Sequence, residues 1–469
     1  MVNDSNGRWD DIRLSALAVG LAVTLSSQTA ADAKTPFIYG GSTLLVANCD
    51  DDGVGSLRAA LALAANGDTI DLSQLTCGTI TLTTGELHTF RNLTLRGPGS
   101  GELTITAGSG SRVLRHAGSG TMVVSGVTLA DGTIVSNTLP GDTAASGGCI
   151  AAASLSMSDV VVSGCIASDV HVPGVPSPGA RGGGIYVGGS VTLDGCRVIG
   201  NTAEASNDFI NRAFGGGLYV GGNFDIRNST ISGNATDGTH HPFDSIGGGM
   251  YTRGGGVIQS TTISDNYAYY AGAARLNSFG IAKSIRNVTV SGNSAVAWTG
   301  GIVTDGSSLE ISNSTFAFNH AQTLGPPGAP AFGGAGLLVF GGGYTIDLES
   351  SIFANNTRGS DEDDFFVFAP GDVAGADNLV MTSNVALPAD TLVADPQLAP
   401  LADNGGPTQT HALAPGSAAL DVGNNLASFD FDQRGTGYER VSGPRPDIGA
   451  FEWQQSDTIF VNSFEGALR

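Results

Sequence analysis

Two short segments of the sequence concentrate side chains that suit the binding of a sugar. They read YAYYAGAARL at residues 267–276 and SAVAWTGGI at 294–302, and a third, ATDGTHHPFDSI at 235–246, precedes them. Aromatic rings pack on the apolar C–H faces of a sugar, while polar side chains bond its hydroxyl groups. The candidate ligand-binding residues are Tyr267, Tyr269, Tyr270, Arg275, Trp298, His240, His241 and Asp244. The alternative is that these aromatic rings only pack loop stems onto the body of the protein.

Catalysis in the same region would require a base and a cation. Elimination beside a uronate carboxylate needs a group that removes a proton, usually with Ca²⁺ or another cation neutralising the carboxylate. Lys283 and Arg286 are the candidate bases, and Asp237, Asp244 and Asp265 are the candidate Ca²⁺ ligands. The signatures expected of a polygalacturonase or a pectate lyase are missing from the sequence. We therefore favour binding without catalysis and predict no catalytic residue and no cofactor, Ca²⁺ being the ion that such chemistry would use.

These segments belong to a repeat that occurs seven times. GGGIYVGGSVTLDGCRVIGN at residues 182–201 returns almost unchanged as GGGLYVGGNFDIRNSTISGN at 215–234. The residues that follow the glycines, at spacings of 26 to 35, are Ile150, Ile185, Leu218, Met250, Leu276, Ile302 and Leu337. A closing position in each copy reads Cys165, Asn201, Asn234, Asn266, Asn293, Asn319 and Asn355. A period of this length is typical of a repeat architecture.

Each copy is predicted to form two short strands, because alternating apolar residues are interrupted by a Gly-Gly turn. One such unit cannot bury its apolar face, whereas stacked units can, with strands about 4.8 Å apart. We predict an all-β fold: a single, three-sided, right-handed parallel β-helix over residues 68–394, in which the asparagines stack into a ladder. The two shortest connections adjoin the candidate site and are predicted to form a notch between longer loops.

Distinct segments are predicted to close the two ends of the stack. Residues 34–67 include SLRAALALAANG, a helix from Ser56 to Gly67 with a serine N-cap and a glycine at C′. This helix would cover the unpaired strand edges of the first coil. Residues 395–453, rich in proline and glycine, are predicted to cover the last coil, and residues 454–469 to form a tail. Ion pairs within this C-terminal cap are predicted among Asp432, Arg434, Arg440, Asp447 and Glu452.

The composition favours an exported protein that avoids polyanions. Acidic residues outnumber lysine and arginine by 43 to 21 among 469 residues, a formal charge of −22, which disfavours nucleic acid and anionic membranes. An apolar run at residues 14–25 is followed by Ala31-Asp32-Ala33, so residues 1–33 are predicted to be a signal peptide. The mature chain is expected to be a monomer, secreted or held at the surface of a bacterium, without a transmembrane segment.

The five cysteines fit an oxidising compartment. Cys49 and Cys77 flank the first structured segment and are predicted to form a disulfide. The pairing of Cys149, Cys165 and Cys196 stays open at this point, because an odd number leaves one thiol unpaired.

Several motifs resemble those of exported bacterial proteins. The glycine anchors and closing asparagines resemble polymorphic outer-membrane-protein repeats. NCDDDGVGSLRAALALA at 48–64 is similar to the CSLREA-type N-terminal segment, although six residues separate Cys49 from Ser56 and Ala59 stands in place of the glutamate. DNGGPTQTHALAPGSAALDVGN at 403–424 and RPDIGAFE at 445–452 resemble the choice-of-anchor Q region, and IFVNSFE at 459–465 a Phe-Glu tail. The resemblance implies an exported, pectate-lyase-like right-handed β-helix.

Three functions are consistent with these patterns. We favour an adhesin-like protein that binds glycan or another surface ligand without chemistry. A polysaccharide lyase or glycoside hydrolase that acts in the notch is the first alternative, and a structural spacer is the second.

Overall fold

A computed structural model describes residues 41–108, 110–136, 145–170, 179–205, 212–237, 245–278, 280–305, 308–322, 333–341, 345–368 and 371–454. All of them fall within one unit, Gly40–Arg469. The predicted signal peptide and the residues after 454 lie outside the described residues, as do His240, His241 and Asp244.

Three sheets built almost entirely of parallel strands form the body of the described chain, and the coils between Leu114 and Arg358 contribute to all three. Sheet A contains Thr43–Leu45, Thr69–Asp71, Thr79–Leu82, Thr94–Arg96, Thr104–Ala107, Thr121–Ala130, Ser154–Ser163, Val191–Asp194, Arg197–Ile199, Phe224–Arg227, Thr230–Ser232, Gly256–Gln259, Thr262–Ser264, Lys283–Arg286, Thr289–Ser291, Leu309–Ser312, Thr315–Ala317, Thr345–Glu349, Ile352–Ala354, Asp372–Ala376 and Leu379–Val380. Sheet B contains Leu87–Thr89, Leu114–His116, Ile150–Ala152, Ile185–Val187, Leu218–Val220, Met250–Thr252, Ala274–Leu276, Ile302–Asp305, Leu337–Phe340 and Phe365–Val367. Sheet C contains Thr133–Val135, Ala145–Ser146, Ile166–Asp169, Ala180–Arg181, Thr202–Ala205, Ala213–Phe214, Ala235–Asp237, Ser245–Ile246, Tyr267–Tyr270, Ser294–Ala297, His320–Ala321, Thr357–Arg358 and Asp361–Glu362.

The order of strands along one coil confirms the predicted β-helix. After the sheet B strand Ile185–Val187, the chain passes through two sheet A strands and two sheet C strands before it returns to sheet B at Leu218. Ile185 then lies in parallel register with Leu218, one coil further on. The one antiparallel pair among the named strands joins Thr357–Arg358 to Asp361–Glu362.

Alternation along the strands explains how the coils bury a common core. In sheet A, one row of inward side chains keeps the same register over six coils, and all of its members are buried: Leu193, Ile226, Ile258, Ile285, Ile311 and Leu348. Burying a side chain of this size contributes about 1.5–3 kcal/mol. Since each member contacts neighbours above and below, the stabilisation depends on stacking.

The predicted asparagine ladder is present, with one member corrected. From coil to coil, each amide Nδ2 donates to the next Oδ1 at 2.8–3.0 Å. The buried ladder residues are Asn201, Asn234, Asn266, Asn293, Asn319 and Asn356. The prediction of Asn355 was wrong: with φ of 58° it occupies the corner before the ladder, where two earlier coils have Gly200 and Gly233. Asparagine tolerates this left-handed conformation better than most residues.

A second sequence alignment error concerns the fifth repeat. Ala274, and not Leu276, lies in register with Met250 and Ile302 in sheet B. Leu276 is also buried, because residues two apart on a strand face the same side. The apolar pattern alone therefore does not distinguish the two positions.

The structure confirms the predicted disulfide between Cys49 and Cys77 and pairs Cys149 with Cys165. Cys196 is a buried free thiol. Cys165 occupies the first position of the ladder, where its backbone N–H donates to Asn201 Oδ1 at 3.0 Å. The second disulfide thus fixes the point at which the ladder begins.

The N-terminal helix spans Leu57–Leu63, and Leu57 and Leu61 pack into the main core. The Ser56 hydroxyl accepts a hydrogen bond from the Ala59 N–H at 3.1 Å, which confirms the predicted N-cap. The predicted glycine C′ was wrong, because the helix ends with Ala64 in an extended conformation. No helix within the described ranges has the length and apolar character to cross a membrane.

The C-terminal segment packs along the side of the stack and not over its end. The Thr262 hydroxyl of sheet A donates to the Gln409 carbonyl and accepts from Gln433 Nε2, and the Thr289 hydroxyl donates to Gln433 Oε1. The last coil is instead followed by residues 381–394, whose Val385 and Leu387 pack against the main core. The prediction that residues 395–453 cover the last coil is therefore corrected. Leu413, Ile448 and other apolar residues of this segment form their own core with Ile352 and Leu379.

The ion pairs predicted within this segment are present. Arg440 and Glu452 form one pair at 2.9 Å, and Arg434 and Asp432 form another at 2.7 Å. All four side chains are at most 2% exposed. The backbone N–H of Asp447 donates to Glu452 Oε2 at 2.7 Å, so the fifth residue joins the same network.

Candidate functional site

Three of the predicted site residues form a continuous aromatic cluster. Tyr269 and Tyr270 lie at the end of a sheet C strand, with ring centroids 4.7 Å apart. Tyr270 contacts Trp298 of the next coil at 4.1 Å, and Trp298 contacts Phe340 at 5.0 Å. The short connections thus bring these rings together, as the repeat lengths indicated.

Burial shows that the cluster has a packing role. Tyr270 is 8% exposed, and Trp298 and Phe340 pack against the buried side chains of Ala271, Val303 and Leu338. Tyr267, at the start of the same strand, is 41% exposed. Ligand binding by these rings stays a prediction, and the histidines and Asp244 assigned to the same site lie outside the described residues.

Arg275 and Lys283 lie near the buried carboxylate of Asp305. Arg275 Nη2 donates to Asp305 Oδ1 at 2.5 Å, and Lys283 Nζ donates to the carbonyl of Ser278 at 3.1 Å. Burial lowers the pKa of Lys283 to about 8, although the charge of Asp305 acts in the opposite direction. Lys283 is 2% exposed, so its side chain is almost entirely enclosed by protein.

The other candidates for catalysis are dispersed. Arg286 points from sheet A to Glu310, with which it forms an ion pair at 2.5 Å. Asp265 occupies a corner with φ of 56°, and Asp237 is an exposed residue at the end of its strand. No cluster of three histidine, cysteine or acidic residues that could hold a metal occurs in the described part of the chain.

The buried amine leads to a pH-dependent prediction. Because the pKa of Lys283 is about 8 in the folded protein and ordinarily 10.5, the unfolded chain binds more protons between these values, so stability rises with pH there. The free-energy cost of burying the protonated Lys283 amine is fully present below pH 8. From pH 7 to 9.5, the wild type should gain about 2 kcal/mol relative to Lys283→Met. Urea unfolding of both proteins across this range measures the difference, and a pH-independent difference would contradict the assignment.

A cleft of about 600 Å³ lies elsewhere, on sheet B near its first coils. Its floor consists of small residues, Ala151, Ala152, Ala153 and Gly188. Its walls include a tyrosine, a glutamate, a histidine and three arginines, namely Tyr186, Glu86, His116, Arg112, Arg115 and Arg181. The described lining residues are therefore basic overall, within a chain whose formal charge is −22.

The register of sheet B explains why the cleft forms at this position. The middle residues of successive strands align as one column: Arg115, Ala151, Tyr186, Tyr219 and Tyr251. The three tyrosines stack, with ring centroids 5.3 and 5.4 Å apart and interplanar angles of 14° and 7°. Ala151 interrupts this column, because its methyl group cannot fill the space between the Tyr186 ring and Arg115. The gap in the column is the cleft.

The three arginines differ in what they already bind. Arg112 donates to Glu86 at 2.5 Å and to the carbonyls of Ser146 and Gly147. Arg115 lies 3.9 Å from the same glutamate, and its side chain is 48% exposed. Arg181 lies 5.7 Å from the centre of the Tyr219 ring, and its buried Nε has no hydrogen-bond partner. Arg115 and Arg181 therefore have donors to offer a ligand.

His116 is a buried residue in the wall of this cleft. It is 3% exposed, and its Nε2 lies 3.1 Å from Asn92 Oδ1. Burial lowers the pKa of His116, so the imidazole is neutral near pH 7. It serves as a polar wall residue.

The sequence patterns did not identify this cleft. In four consecutive repeats, the second residue after the glycines is Ala151, Tyr186, Tyr219 and Tyr251. One alanine before three tyrosines was a signal that could have indicated the cleft. Arg115 precedes the regular repeats, so its place in the column depends on a pairing that no repeat spacing specifies.

Three sheets of parallel strands, a common register and one internal core define a parallel β-helix with an open cleft on sheet B. A family model described as right handed beta helix region matches residues 78–360, and the chain belongs to this family. No curated protein and no solved structure gives a significant match to the chain.

Proposed function

We propose that the protein is an adhesin-like, non-catalytic binder of a carbohydrate chain, and that the sheet B cleft holds one sugar unit. The observation that carries this proposal is the position of Tyr186. One face of its ring stacks on Tyr219, so the other face is directed toward the gap above Ala151. An exposed aromatic face beside hydrogen-bond donors suits a sugar ring.

The chemistry of the lining supports binding rather than hydrolysis. Glycosidases ordinarily use two carboxyl groups that flank the scissile bond. Glu86 is the only carboxylate among the described lining residues, and it already accepts a hydrogen bond from Arg112. The described lining therefore supports binding without cleavage, and we propose that this binding needs no Ca²⁺.

Export to the cell surface or medium forms part of the same proposal. Two disulfides in a chain with five cysteines favour an oxidising compartment. A monomer would bind one site on a surface glycan through this cleft.

Tyr186→Ala tests the proposed site. The variant should lose about tenfold in affinity, since it removes the ring face on which the sugar packs. Isothermal titration of a panel of tetrasaccharides, with and without EDTA, measures the loss. Tyr186→Phe is the matched control, because it retains the ring.

Two other outcomes would count against the proposal. Equal binding by Tyr186→Ala, with binding lost in Tyr267→Ala, would move the site to the aromatic cluster. Release of reducing ends or unsaturated sugars from the panel would show that the protein is an enzyme.

A further inference from the structure

We infer that the sugar unit in the cleft carries a negative charge, and that Ala151 determines whether it can enter. This inference rests on the proposed carbohydrate-binding function and names the chemical class of the ligand. It follows from the space above Ala151 and from the two arginines that face this space.

The space has the dimensions of one flat ring. Adjacent strands lie about 4.8 Å apart, so Arg115 and Tyr186, which are two strands apart, are separated along the sheet by about 10 Å. Ala151 lies between them in the column. A ring stacked on Tyr186 at ordinary contact distance would therefore present its far side to Arg115.

The two arginines favour a sugar ring that carries a negative charge. Arg115 is half-exposed, with its nearest carboxylate at 3.9 Å, and Arg181 has a buried Nε without a partner. Guanidinium groups bind carboxylate and sulfate through paired N–H donors. A neutral sugar can offer these donors only single hydroxyl acceptors, whereas a carboxylate or sulfate substituent forms charge-assisted hydrogen bonds that are about twice as strong.

The charge of the whole chain limits how densely the ligand can be charged. At −22, most of the protein surface repels polyanions. The basic cleft is local, so the favoured ligand is a chain with isolated charged units and not a continuous polyanion.

A set of matched ligands tests the inference: cellotetraose, the same tetrasaccharide with one unit oxidised to a carboxylate at C6, and the same tetrasaccharide with a single 6-sulfate. Wild type should bind both charged forms about tenfold more tightly than cellotetraose. Arg181→Gln should abolish that preference. Arg197→Gln, which removes an exposed arginine on sheet A, is the matched control and should retain it.

A second variant tests the role of Ala151. Ala151→Tyr should extend the tyrosine column into the cleft and eliminate binding of every tetrasaccharide. The column already carries tyrosine on the next three strands, and an unchanged thermal unfolding midpoint would show that the fold tolerates the residue. Retained binding in the folded variant would overturn the inference.

The outcomes separate this inference from the proposed function. Equal affinity for neutral and charged tetrasaccharides, lost in Tyr186→Ala, would refute the charged ligand and keep the carbohydrate site. No binding of any carbohydrate would refute both. A preference for only the carboxylate or only the sulfate form would support the inference and identify the source of the charge.

Discussion

Asn356→Ala is expected to lower the free energy of unfolding by about 4 kcal/mol, one of the two largest effects among the variants considered. The Asn356 amide donates to the Phe316 carbonyl and to Asp364, and its Oδ1 accepts from both nitrogens of Asn319. Alanine would remove these four buried hydrogen bonds, and each of them contributes about 0.5–1.5 kcal/mol. Urea unfolding followed by far-ultraviolet circular dichroism measures the change.

The preceding residue supplies the control. Asn355 is partly exposed and occupies the left-handed corner, so Asn355→Gly should change the free energy of unfolding by less than about 0.5 kcal/mol. Similar losses at both positions would mean that the ladder is not what makes Asn356 important.

Arg440→Leu is expected to destabilise the C-terminal segment by about 3–5 kcal/mol, because it leaves a buried carboxylate without its cation. Arg440 donates to Glu452 and to the carbonyls of Gly449 and Asp447, and its side chain is fully buried. Burial raises the pKa of Glu452 to about 7, and the loss of the arginine would raise this pKa further. Unfolding titrations and the rate of limited proteolysis after residue 395 measure the effect.

Arg445→Leu is the matched control from the same segment. Its ion pair with Asp377 is half-exposed on the arginine side, and pairs of this kind contribute about 1 kcal/mol or less. An equal loss in the two variants would show that burial of the Arg440 pair has no special effect.

The repeat made the fold predictable, while exact positions within it depended on tertiary context. Periodic glycine anchors and asparagines identify a stacked architecture, because every coil needs the same corners. Two errors within the repeat, Asn355 and Leu276, arose where neighbouring residues satisfy the same local preference. Only the pairing of strands between coils distinguishes Asn355 from Asn356, or Leu276 from Ala274.

The candidate site was less predictable for a related reason. Loop lengths correctly brought Tyr270 and Trp298 together, but their burial follows from the side chains beneath them. The cleft arises from one small residue, Ala151, in a column of large ones. A missing side chain has no signature in the repeat until the strands are aligned in register.

The lateral packing of the C-terminal segment also constrains the order of folding. This segment bonds strands from Thr262 to Ser350, yet it follows all of them in the chain. During synthesis those coils must remain without it until it emerges. Once in place, it joins coils that otherwise contact only their neighbours, so they cannot unravel one at a time from the C-terminal end. The segment should therefore slow the unfolding of the coils that it joins.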